Sequence, residues 1–147
     1  MSTATILPGP GPAIIGNTFQ AISAVNGILV GTPVAWSRTV SGQLQLCSAS
    51  SSSGKIGLCC GIALTAGGIG QSIVVQYSGL VVLSTSAWDA VVAGESGGLT
   101  EGEGYFVSPT DGELTTTQPT GFDPVTPVGI AQNSTTMQLQ ITLPVVD

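Results

Sequence analysis

Ser72-Ile-Val-Val-Gln-Tyr-Ser-Gly-Leu-Val-Val-Leu-Ser84 sets two short β-branched runs on either side of Ser78-Gly79. Val and Ile lose rotamer freedom in a helix but pack well on a pleated surface, and a two-residue turn containing glycine reverses a chain. The stretch predicts a β-hairpin, and with it an all-β chain.

Working outward, the upstream sequence repeats the same signals. Phe19–Val25 and Ile28–Trp36 flank Asn26-Gly27, a second hairpin signal, and Gln43-Leu-Gln-Leu-Cys47 alternates polar with apolar as a strand with one wet face does. After the polar loop 48–54, Ile56–Thr65 reads as a strand apolar on both faces, and Ala66-Gly-Gly-Ile-Gly70 as a turn. Downstream, Ser86–Gly94 offers an N-cap serine, an acid in the first turn and a terminal glycine, which predicts the one short helix. Strands are then predicted at Tyr105–Ser108, Glu113–Thr116, Val125–Gln132 and Thr136–Leu143, the first two joined through Asp111-Gly112.

With 21 glycines, 9 prolines and 42% apolar residues in 147, the chain suits short strands and tight turns around one core. The expected architecture is a compact antiparallel β-sandwich or β-barrel over residues 19–147, preceded by an arm at 1–18. Leu7-Pro-Gly-Pro-Gly-Pro-Ala13 disfavours helix and central-strand pairing, so the arm is expected to be extended. It carries Ile6, Leu7, Pro8, Pro10, Pro12, Ile14 and Ile15, apolar groups that make sense laid across a neighbouring subunit. An edge segment packed on its own domain, or a disordered terminus, is the alternative.

Charge narrows the chemistry. There are two basic residues, Arg38 and Lys55, eight acids, all at or after Asp89, and no histidine. Serine and cysteine nucleophile arrangements that need histidine cannot be built within one chain, and a net charge of −6 opposes phosphate binding. No enzyme activity, cofactor, metal or nucleic-acid partner is expected. The first 88 residues are nearly neutral, which points either to burial against other subunits or to a surface solvated by Ser, Thr, Asn and Gln.

Cys47, Cys59 and Cys60 cannot all pair, and adjacent Cys59 and Cys60 on a strand face opposite ways, so reduced, packed thiols are favoured over a Cys47 disulfide. The acids Asp89, Glu95, Glu101, Glu103 and Asp111 lie in loops that lack EF-hand spacing and read as solvated charge rather than a calcium site. Glu101 and Glu103 are the pair a glycan hydrolase reading would use. The aromatic residues Phe19, Trp36, Tyr77, Trp88, Tyr105, Phe106 and Phe122 are expected mainly as core anchors rather than a sugar platform. The uncharged stretch 56–88 is broken by glycine and glutamine too often to span a membrane, and the N-terminus lacks the basic and apolar regions of a signal peptide.

Trp88-Asp-Ala-Val-Val, Gly97-Gly-Leu-Thr-Glu-Gly-Glu-Gly-Tyr-Phe-Val-Ser108, Gly112-Glu-Leu-Thr-Thr-Thr117 and Val125-Thr-Pro-Val-Gly-Ile-Ala131 together resemble a module of tailed-bacteriophage structural proteins. It is found in capsid decoration (cement) proteins and in head or tail fibre domains. The resemblance spans about residues 79–143 and implies a virion protein, made in the host cytoplasm, that forms a homotrimer clamping neighbouring major capsid protein subunits. A fibre or receptor-binding module recognising a host surface glycan is the alternative it leaves. The chain departs from a long fibre in lacking a collagen-like or coiled-coil stalk, which favours a compact decoration knob.

Overall fold

The structure, a computed structural model, describes residues 15–49, 59–120, 123 and 125–141. The fold is all-β with one short helix, built as a closed five-stranded barrel against a five-stranded sheet.

The barrel contains β1 (Thr18–Ser23), β2 (Pro33–Trp36), β3 (Gln43–Leu46), β4 (Gly61–Ala63) and β5 (Ser72–Gln76), ordered β1-β3-β2-β4-β5 and closed by β5 on β1. Its ladders are antiparallel except for β1 and β3, which run parallel. The second sheet contains β6 (Leu80–Val82), β7 (Gly104–Val107), β8 (Leu114–Thr115), β9 (Pro127–Ala131) and β10 (Thr136–Leu139), ordered β6-β10-β9-β7-β8.

Both glycine-turn hairpins predicted in the first half are absent. β5 pairs with β1 and β4, whereas β6 pairs with β10, so Ser78-Gly79 passes the chain from barrel to sheet instead of folding it back. Likewise β1 pairs with β3 and β5, and the segment after Asn26-Gly27 closes on Gly67 through Ile28 before β2 begins. The expected reversal at Asp111-Gly112 does form, joining β7 to β8.

The helix α1 (Thr85–Val91) starts two residues earlier than the sequence suggests. Its N-cap is Ser84, whose hydroxyl accepts from the Ala87 amide at 3.1 Å, rather than Ser86. Asp89 is thereby displaced from the first turn, and its carboxylate accepts from the amides of Gly97 and Gly98 at 2.9 and 2.8 Å.

Alternation divides the buried side chains into two clusters. Ile28, Val34, Leu44, Ala63, Ile73 and Val75 fill the barrel. Their strand neighbours Ala35 and Ile62 point the other way, into a larger core with Trp88, Val91, Val81, Tyr105, Val107, Val128, Met137 and Leu139. Gly61, Ile62 and Ala63 are buried on both faces, as the apolar run predicts; the first part of that predicted strand lies outside the described residues. Cys59 packs on the larger core and Cys60 on the barrel interior, the opposition expected of neighbours on a strand.

In the second sheet a register shift in the β7–β9 pairing sets Tyr105 opposite Gly129 and Phe106 opposite Pro127, leaving Val128 as the extra residue. Val128 is therefore buried and Ile130 exposed, although simple alternation puts both on one face. Gly129 lies against the Gln138 carbonyl and the Met137 side chain, where a Cβ has no room.

Candidate functional site: the aromatic mouth of the barrel

One end of the barrel is where β1 and β3 begin and β2 and β5 end. Three side chains continue the inward-facing rows there: Phe19 follows the parity of Ala21, Trp36 that of Val34, and Tyr77 that of Val75. Because the strands run out at this point, the rows emerge into solvent. Trp36 is 48% exposed, Tyr77 47%, and Phe19 half-buried between them. Phe19 stacks on Trp36 with ring centroids 5.2 Å apart and an interplanar angle of 25°, and meets Tyr77 at 6.0 Å and 41°. One face of the Trp36 indole is thus taken by Phe19, and nearly half of its surface is open.

Phe19 packs on the barrel interior as a core anchor does, but Trp36 and Tyr77 correct the expectation that they too are core anchors. Trp88 and Tyr105 are, at 0% and 1% exposure, with Trp88 Nε1 donating to the Thr135 carbonyl at 2.9 Å. Trp36 and Tyr77 differ in being followed at once by polar turns, Ser37-Arg38 and Ser78-Gly79; the sequence signal was the end of the strand, not the residue type.

The arm enters beside this mouth. Ile6, Leu7, Pro8, Pro10, Pro12 and Ile14, the candidate contact residues, lie outside the described residues, as does Lys55. Ile15 is described: it is 51% exposed and forms a bridge to Leu80, whose amide donates to the Ile15 carbonyl at 2.7 Å. The same carbonyl accepts from Gln76 Nε2 at 3.2 Å, and that amide nitrogen also donates to the Ser78 and Leu80 carbonyls at 2.9 and 2.8 Å. Gln76 is buried, so one side chain ties the arm, the barrel and the first strand of the sheet together. Asn17 adds a bond from its side-chain amide to Ser78 Oγ at 3.0 Å.

Surface chemistry is segregated between the two halves. Among the described residues, seven of the eight large hydrophobic side chains that stand exposed lie between residues 15 and 77, namely Ile15, Ile22, Leu29, Trp36, Val40, Ile69 and Tyr77; the eighth is Ile130. Every acid of the described residues lies beyond Tyr77, and Arg38 is the only charged side chain described before it.

The acidic loops are occupied with local structure. Asp89 caps two amides, and Glu95 accepts from the hydroxyls of Tyr105 and Thr100. Glu101 and Glu103 stand exposed in the turn before β7. Among the described residues, no three Cys, Asp or Glu side chains converge to hold a metal, and no helix is long and apolar enough to cross a membrane. A recess of about 120 Å³ beside the β7–β9 irregularity is lined by Tyr105, Phe106, Pro127 and Ile130, with Gln140 the one polar side chain.

The three cysteines are free thiols. A hydrogen bond with Cys59, then burial, drives the Cys47 thiol far above its ordinary range, and burial pushes Cys60 up to about 12. Both stay protonated at neutral pH and behave as small apolar groups. No protein-family model matches the chain, and no curated protein matches it.

Proposed function

We propose that this chain is a virion structural protein: a capsid decoration protein that binds the outside of the major capsid shell as a homotrimer and bridges capsomers, with no chemical turnover. The observation that carries the reading is the segregated surface. A protein that sits on a shell needs one face poor in charge and rich in exposed apolar groups, and another that keeps the particle soluble. The barrel half, with Ile15 where the arm enters, supplies the first; the acid-bearing loops of the second sheet supply the other. Apolar burial across capsomer boundaries would then oppose expansion of the shell.

The test is light scattering of the purified protein, alone and then mixed with undecorated shells. A trimer that saturates shells at fixed stoichiometry, and whose shell affinity drops when residues 2–14 are deleted, is the expected result. A protein that ignores shells overturns the reading.

The half-exposed rings of Trp36 and Tyr77, each set against Phe19, favour one second reading, a fibre or receptor-binding module that presents aromatic faces to a host surface glycan. Retention on host envelope glycans, lost in Trp36→Ala, would support that reading over the first.

A further inference from the structure

We propose that the aromatic mouth formed by Phe19, Trp36 and Tyr77 is the docking site for the proline-glycine segment, residues 7–13, of a second copy of this chain. Proline-rich chain is recognised on exposed aromatic faces because its backbone is already restricted and loses little entropy on binding. Both halves of that pair occur here. The mouth offers a half-exposed indole and a half-exposed phenol whose ring centres lie 5.2 and 6.0 Å from that of Phe19. Leu7-Pro-Gly-Pro-Gly-Pro-Ala13 offers three prolines, small glycines between them, and no charge.

At three residues per turn, a polyproline II chain sets Leu7, Pro10 and Ala13 along one edge and Pro8, Gly11 and Ile14 along the next. The face between those edges is apolar throughout, with Gly11 leaving space for a protruding ring. Charge also matches, since Arg38 is the only charged side chain described in the barrel half.

The direction of the chain selects a second copy rather than the arm's own mouth. Running backwards from Phe19, the backbone passes Tyr77, whose amide donates to the Asn17 carbonyl, and reaches Leu80 on the second sheet at Ile15. It is leaving the mouth there, held by Gln76. Return to its own Trp36 requires a reversal within Ala13-Ile14-Ile15, which has no glycine or asparagine to supply one. The fourteen residues before Ile15 reach about 40 Å when extended at 3.1 Å each, more than the width of a small domain, so a neighbour's mouth is within range.

The two tryptophans make the test specific, because Trp88 is fully buried and Trp36 is the one a collisional quencher reaches. Acrylamide quenching and sedimentation mass are followed together on the full-length chain across a dilution series, without shells. The expected result is that the quencher-accessible fraction falls from one of two tryptophans in dilute monomer to neither in the associated state. Full-length chain with Pro8, Pro10 and Pro12 all changed to Ser should keep Trp36 accessible at every concentration, and a synthetic peptide of residues 2–14 should restore its shielding. Unchanged Trp88 emission reports that each variant is folded. Shielding that persists in dilute monomer would show the arm on its own barrel and overturn the proposal, as would an associated chain whose Trp36 stays open. Shells are absent, so either failure leaves the capsid-binding reading standing.

Discussion

Tyr105 illustrates how much a single side chain carries in this fold. It is a buried residue of β7, its hydroxyl donates to the Glu95 carboxylate, and the same oxygen accepts from the Thr100 amide at 2.8 Å. Burial first, and the hydrogen bond to Glu95 next, push its ionisation from about 10 up to about 12. The folded state holds this proton more tightly than the unfolded chain, so the contribution to stability is complete below pH 10 and is lost as pH rises towards 12. Urea midpoints measured from pH 8 to 12 should begin to fall near pH 9, where the unfolded chain's thiols ionise and the buried Cys47 and Cys60 do not, and should go on falling from 10 to 12 as Tyr105 adds its share. In Tyr105→Phe the fall should shrink, while stability at pH 8 drops by about 1–3 kcal/mol because Glu95 and the Thr100 amide lose a partner. An unchanged slope in the variant would assign the loss to other groups. Side-chain roles of this kind were partly legible in the sequence. Tyr105 in an alternating run is recognisably core, and the opposition of Cys59 and Cys60 follows from strand parity alone. Trp36 and Tyr77 were not legible, because their neighbours in the inward rows are buried and only the place where the barrel ends exposes them. Gln76 was missed for the converse reason: it reads as the wet end of a strand and is buried among three carbonyls.

The elements themselves were read well and their pairing poorly. Gly79 takes a φ of 88°, the conformation a glycine turn was expected to need, yet it leads to a change of sheet. Local turn chemistry specifies that the chain can bend; which strand lies alongside is decided by which faces bury together, and β5 finds its partner in β1, fifty or more residues back. Asn26-Gly27 was misread in the same way. Asp111-Gly112 was not, because β7 and β8 are adjacent in both chain and sheet. The junction after β5 depends on Gln76 in place of a local hairpin ladder. Gln76→Leu keeps the volume and removes the donor, leaving the Ser78 carbonyl without that partner and Ile15 held by the Leu80 amide alone. A loss of about 1–3 kcal/mol is expected. Amide exchange at Leu80 should accelerate more than exchange in β9 and β10. Uniform acceleration across both sheets would mean that Gln76 supports the fold as a whole and not this junction.

At the scale of the whole molecule, the barrel and the sheet share one core, although only the barrel has an interior of its own. Ala35 and Ile62 leave the outer face of the barrel to join Trp88, Val81 and Met137, so α1 and the second sheet close over the barrel wall. That sharing lets the surface be split by chemistry without splitting the fold: the acid-free barrel end and the acidic loops remain parts of one body. Composition had already separated the charge along the chain, but the sequence could not show that the strands between Thr18 and Gln76 close into a barrel or that this acid-free part of the chain forms an aromatic mouth. The arrangement predicts cooperative unfolding. Ile62→Ala removes a fully buried side chain at the shared layer and should cost about 2–5 kcal/mol. In the parent chain and in this variant, the signals of Trp36 on the barrel and Trp88 beneath the second sheet should change in a single thermal transition, measured with single-tryptophan variants. If the Trp88 signal melts first while Trp36 keeps its native environment, the barrel is a separate folding unit, and the second sheet is a layer laid upon it rather than half of a common core.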